Sequence, residues 1–151
     1  MKGYQNILVP VDGSQLSKLA FKQAVSLAEM VGGRVHVLHV MEHPIMEPLT
    51  MNGQEVMSAV ELVKAETTKE AKKMLEEFIS SVDHSSVKVT TEIGEGPVAR
   101  EIIESSRNFD IVIMGTQGHN MISSLFLGGV AEKVVRHAHC PVMMIREKME
   151  E

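Results

Sequence analysis

Residues 110–146 place the tightest constraint on what this chain can fold into. The segment opens with 111–114, Ile-Val-Ile-Met, a wholly apolar run of the kind carried by a parallel strand buried on both faces. Residues 115–129 follow as a loop with glycine at both ends, and 130–137 then read as a helix that starts at the second glycine pair. The spacing is Gly115, two residues, Gly118, nine residues, Gly128 and then Gly129. Glycine lets a backbone come close to a ligand and point successive N–H groups inward. A helix N-terminus adds N–H groups without intrahelical partners and about half a positive charge. Strand, glycine-bracketed loop and helix end together are a physical means of holding phosphate. A flexible glycine loop with no ligand is the other reading of the same spacing.

The rest of the chain alternates. Residues 7–10 form an apolar first strand ending in Pro-Val-Asp-Gly-Ser, and Ser14 is a good N-cap for the helix expected over 15–31. Leu16, Leu19, Ala20, Leu27 and Val31 recur there at helical spacing. Gly32 and Gly33 end that helix by supplying a left-handed turn. Residues 34–41 read as a second, mostly buried strand. Residues 42–54, broken by two prolines and a glycine, read as a surface excursion. A long helix is expected over 55–81, with its periodicity clearest at Ala71, Leu75 and Phe78. Residues 87–93 alternate as a strand exposed on one side near a sheet edge does. Residues 94–97 turn the chain into a helix reaching about 107, with Pro97 suited to its first turn. The last strand is 142–146, beginning at Val142 and ending at Arg146, and 147–151 form a frayed tail.

Strict alternation of strand and helix implies a doubly wound α/β domain, here one domain over residues 1–151. Five strands of this kind most simply form a parallel sheet of order 3-2-1-4-5 with helices on both faces. Ligands of such sheets sit beyond the carboxyl ends of the strands, where the strand order reverses. That rule brings residues 10–14 beside residues 115–129, so the two most loop-like glycine segments meet where a ligand is expected.

Composition excludes several functions. The net charge of -5 and the absence of Trp argue against a nucleic-acid surface, which needs a cationic face and stacking rings. No apolar run reaches the length of a membrane span, and the N-terminus lacks a signal-peptide core. The single cysteine, Cys140, rules out an internal disulfide and suits a reducing cytoplasm. Histidines 36 and 39 lie an odd number of residues apart on a strand and face opposite ways, so they read poorly as a metal pair. The pattern Gly-x-x-x-x-Gly-Lys is absent and no general base stands out, so fast hydrolysis is not expected.

The glycine spacing resembles the nucleotide-binding signature of the universal stress protein family. The run Val-Ala-Glu-Lys-Val-Val-Arg-His that starts at Val130, and Cys-Pro-Val at Cys140, are similar to that family as well. The resemblance covers nearly the whole chain. It implies the same fold, and a pocket for ATP or another adenine nucleotide, with Mg²⁺ on the phosphates. It implies that Pro10 and Val11 form a wall of the pocket, that Asp12 lies near the ribose or the metal, and that the backbone of Val40 holds adenine. Gly115, Gly118, Gly128, Gly129 and Val130 become the phosphate segment, which His119 could approach. From the residues alone, Asp12 equally reads as an Asx turn, Val40 as a core valine and His119 as a solvated loop histidine. The chain departs from the signature at position 129, which is Gly where the family's ATP-binding members carry Ser or Thr. Ser123 and Ser124 in the loop are candidates to compensate.

The expected function is therefore adenine-nucleotide binding in a stress-response or signalling role, acting through ligand-dependent conformation rather than turnover, with a protein partner unknown. One rival is a dimeric interaction module with a relic pocket, motivated by Gly129. Another is a slow ATPase or nucleotidyl-transferring enzyme. The apolar last strand falls at a sheet edge, which is a liability unless covered. In the family that strand pairs with its copy, so a homodimer through 142–146 is expected.

Overall fold

The computed structural model describes residues 3–42, 53–117 and 127–147. The elements are β1 (Asn6–Pro10), α1 (Gln15–Val31), β2 (Arg34–Met41), α2 (Gly53–Ser80), β3 (Lys88–Glu95), α3 (Val98–Ser105), β4 (Ile111–Gly115), α4 (Gly129–His137) and β5 (Val142–Ile145). All pairings are parallel and the strand order is β3-β2-β1-β4-β5, as the alternation implied. β3 and β5 are the edges. No residue of β3 is fully buried, in keeping with its alternating sequence.

Side-chain alternation along the strands divides the interior in two. Ile7, Val9, Val35, Val37, Ile111 and Ile113 face α1 and α2, where Phe21 and Phe78 pack with ring centroids 5.7 Å apart. Leu8, Leu38, Val40, Val112 and Met114 face α3 and α4, against Ile102, Ala131 and Val134. A strand buried on both faces needs apolar residues at every position, which is why β1 and β4 read as unbroken runs.

Local chemistry fixes the ends of the elements. Ser14 sits in an extended conformation and its side chain accepts the Ser17 N–H at 3.2 Å, capping α1. Gly32 closes α1 at φ 68°, and its N–H reaches the Ala28 carbonyl. At Gly33 a Cβ would stand 2.6 Å from the Gln5 carbonyl oxygen, so the corner into β2 needs glycine for a close crossing. Asp110 ties the start of β4 to β1: its Oδ2 accepts the Asn6 backbone N–H at 2.9 Å, and its own N–H donates to the Asn6 carbonyl at 2.8 Å. Ser106, fully buried in the short 3-10 turn Ser106–Asn108, donates to the Ile103 carbonyl at 2.6 Å and accepts the His139 N–H at 2.9 Å. It thereby pins the segment after α4 to the end of α3.

Several boundaries differ from the sequence reading. β3 continues through Gly94 and Glu95, which pair with Val40 and Met41, where a turn was expected. The ladder with β2 outweighs the local turn preference of glycine. The helix expected to reach 107 is α3 followed by the 3-10 turn. α2 begins at Gly53 and α4 at Gly129, each slightly earlier than read. Most of the expected excursion over 42–54 lies outside the described residues.

Candidate functional site

β1 and β4 pair at Ile7↔Ile111 and Leu8↔Val112, and beyond their carboxyl ends lies a cavity of about 540 Å³. The sheet topology puts it at the point where strand order reverses. Its apolar half is built by Val11, Leu38, Val40, Ile102 and Met114. These side chains belong to the two cores and are almost fully buried, so the wall is set before any ligand arrives.

The opposite half is backbone and polar. After β4 the chain passes Gly115 and Gln117, and it returns through Gly128 into α4. Gly128 N–H donates to the Thr116 carbonyl at 2.7 Å, which clips the two ends of the intervening loop together. A Cβ on Gly115 would lie 3.0 Å from Leu16 Cβ, and one on Gly128 would lie 3.3 Å from Thr116 O. Both glycines thus mark close approaches. At Gly129 a Cβ would meet nothing within 4 Å. Gly128 caps α4 in an extended conformation with no side-chain cap bond. The first helical bond is Glu132 N–H to Gly128 O at 2.9 Å, so the N–H groups of residues 129–131 precede it and face the helix end.

Asp12 lines the same cavity, and its Oδ1 accepts the Ser14 N–H at 2.9 Å. The Asx turn is therefore present, and it holds the carboxylate at the cavity mouth. Val11 N–H continues the sheet pattern to the Leu38 carbonyl at 2.9 Å. His39 Nδ1 lies 2.8 Å from the Val11 carbonyl. A carbonyl only accepts, so Nδ1 carries the hydrogen there. This bond holds the strand-to-helix connection against β2.

Of the expected site residues, Pro10, Val11, Asp12, Val40, Gly115, Gly128, Gly129 and Val130 all line this cavity. Gly118, His119, Ser123 and Ser124 lie outside the described residues. Reading the sequence missed Glu42, Gln117 and His39 as cavity residues. Gln117 sits inside the glycine motif and was discoverable. Its Oε1 is buried and has no hydrogen-bond partner among the described residues, and an unsatisfied buried acceptor costs about 1–3 kcal/mol. A ligand hydroxyl or amino group, or a water, would satisfy it. Among the described residues no group of three His, Cys, Asp or Glu converges as a metal site.

A larger cavity, about 710 Å³, lies between α2 and β3, with Lys72, Glu76, Glu92 and Glu95 around Leu75, Ile79 and Ile93. Among the described residues, its lining has neither glycine backbone nor a helix N-terminus. The smaller cavity is the better candidate, because the chemistry rather than the volume identifies it. Elsewhere, Cys140 has its thiol pKa pushed up by burial and by the Asp110 charge, against a weaker opposing hydrogen bond from Val112.

The fold and this cavity define a doubly wound α/β protein with a pocket at its switch point. The model of the universal stress protein family matches residues 3–146, and the chain belongs to that family. Universal stress protein MJ0531 of Methanocaldococcus jannaschii is 35% identical, the match covering 98% of this chain and 85% of the relative. Among solved structures, universal stress protein UspA from Lactobacillus plantarum is similar with TM-score 0.74 and 28% identity, covering 97% of this chain and 100% of that one. The hypothetical protein MJ0577 is similar with TM-score 0.78 and 26% identity, covering 97% and 99%. No helix among the described residues is long and apolar enough to cross a membrane.

Proposed function

We propose that the switch-point cavity binds an adenine nucleotide and that the chain acts in a stress-response or signalling role through the conformation this ligand sets. The observation that carries the reading is the convergence of eight expected residues on one cavity, with an apolar slot at one side and the N-terminus of α4 at the other. In this reading the purine occupies the slot against Val11 and Val40. The phosphate lies by Gly115, Gly128 and the first N–H groups of α4, and Asp12 meets the ribose or a Mg²⁺ carried on the phosphates. The fold admits such ligands. A universal stress protein in complex with cAMP shares it at 17% identity and TM-score 0.60, and an Arabidopsis thaliana family protein with AMP bound shares it at 18% and 0.64.

The chain's own residues bind and orient, and among the described residues of the lining none stands out as a general base, so we propose binding without rapid turnover. The ends of the loop at Thr116 and Gly128 are clipped together beside the phosphate position, which lets occupancy alter the surface that a partner protein meets. Hydrogen exchange over 116–127, measured with and without saturating nucleotide, tests this. Slowed exchange supports the reading, and unchanged exchange in a nucleotide-saturated sample overturns the signalling mechanism. We also propose a cytoplasmic homodimer through β5 and Arg146. Met143 is 37% exposed on that edge strand, and pairing would cover it.

A further inference from the structure

We propose that Gln117 selects the sugar of the bound nucleotide, taking a ribose hydroxyl and so favouring a ribonucleotide over one that lacks its hydroxyls. The proposal rests on the nucleotide reading above and names a residue that sets specificity within that site. Gln117 lines the cavity and is only partly buried as a residue. Its Oε1, by contrast, is enclosed and has no hydrogen-bond partner among the described residues. No other side-chain atom among the described residues is buried in this unsatisfied way, so the defect is local to the pocket.

The loop neck fixes where Gln117 stands. Thr116, just before it, accepts the Gly128 N–H at 2.7 Å. A Cβ on Gly128 would lie 3.4 Å from Gln117 Cα and 3.9 Å from Gln117 Cβ, and one on Gly115 would lie 3.6 Å from the Gln117 carbonyl oxygen. Gln117 is therefore held between the two glycines, in the polar half of the cavity beside the start of α4. An adenine nucleotide has few groups that can donate to an acceptor there. They are the exocyclic amino group of the base and the ribose hydroxyls, since ionised phosphate oxygens only accept. With the purine in the apolar slot and the phosphate at the helix end, the ribose is the part that passes Gln117. A hydroxyl both donates and accepts, so it satisfies the carboxamide whichever of its polar atoms faces the sugar. Oε1 is enclosed as the side chain lies, so the contact requires the side chain to turn toward the cavity. Such rotation is fast for a partly exposed residue, and it leaves behind a position in which the oxygen gained no hydrogen bond.

The test is a cycle of dissociation constants for AMP and for dideoxy-AMP, which lacks both ribose hydroxyls, on the full wild-type chain and on Gln117→Met, with urea unfolding of both proteins. Methionine keeps the length of the side chain and removes the amide. Wild type is expected to bind AMP about fivefold to tenfold more tightly than dideoxy-AMP, the worth of one good hydrogen bond. Gln117→Met should shrink that preference by about the same factor, and any remainder belongs to Asp12. Its urea midpoint should stand at or above that of wild type, because the variant no longer buries an acceptor without a partner. A preference that survives unchanged in the folded variant, or that is missing from wild type, overturns sugar selection and leaves nucleotide binding standing. A urea midpoint below that of wild type assigns the amide a structural partner and overturns the proposal as well. If neither nucleotide binds to folded wild type, the nucleotide reading itself fails and this inference falls with it.

Discussion

Gly129→Ser is the most informative single change in this protein. At most positions adding a side chain beside a ligand pocket risks a clash. Here an ideal Cβ meets nothing within 4 Å, and Gly129 is not among the glycines with positive φ, so a serine enters without strain. Residue 129 is the first of α4, next to an N-cap that makes no side-chain bond. The new hydroxyl therefore stands at the helix end where the phosphate is proposed to lie. A hydrogen bond to a charged group contributes about 1.5–3 kcal/mol. Ordering the hydroxyl and exposure of the site both reduce that, so the lower end, a gain of about tenfold in affinity, is expected. Serine is also a better helix former than glycine by a few tenths of a kcal/mol, so stability should not fall. Titration of AMP into wild type and variant, with a urea melt of each, provides the comparison. Gly128→Ala is the contrasting control. Its Cβ would be 3.3 Å from Thr116 O and 3.4 Å from Gln117 Cα, so it should loosen the loop neck and weaken binding. An unchanged or poorer affinity in folded Gly129→Ser would refute the placement of phosphate at this helix end.

Three further outcomes are expected. Ser106→Ala removes a buried bridge between the Ile103 carbonyl and the His139 N–H, and denaturant unfolding should show a loss of about 1–3 kcal/mol. Cys140 has a raised folded pKa, so its thiolate fraction at mildly alkaline pH is lowered. Alkylation should be slower than for an unfolded thiol, and the stability this group contributes should be present below the unfolded thiol pKa and lost as pH rises through the folded one. Met143→Lys puts a charge on the exposed β5 edge, and if the proposed dimer forms there, light scattering should show the variant shifted to monomer. An unshifted dimer would move the interface away from β5.

The architecture was legible because each strand–helix step carries its own local signal. The unbroken apolar runs of β1 and β4 announced central strands, Ser14 and Gly32 announced the ends of α1, and the alternation in β3 announced an edge. What was not legible depended on partners distant in sequence. Gly94 looks like a turn until β2 is placed beside it, and it then extends the ladder opposite Val40. Glu42 and His39 reach the cavity because the register of β1 with β2 sets Pro10 opposite Leu38. No local pattern encodes that register. Asp12 was legible in both of its roles, since the Asx turn and the cavity mouth coincide. Gln117 lay in plain view between Gly115 and Gly118. Its significance comes from burial without a partner among the described residues, which a sequence does not display.

The ligand proposed for the cavity between Pro10 and Gly128 is an adenine nucleotide. Equilibrium dialysis of the full chain against AMP, and against ATP with Mg²⁺, up to millimolar concentration tests it most directly, with Gly128→Ala measured alongside. Saturable uptake of about one nucleotide per chain is expected, weakened in that variant. Absence of uptake by the folded wild-type protein would contradict it, as would uptake that the loop-neck variant leaves untouched.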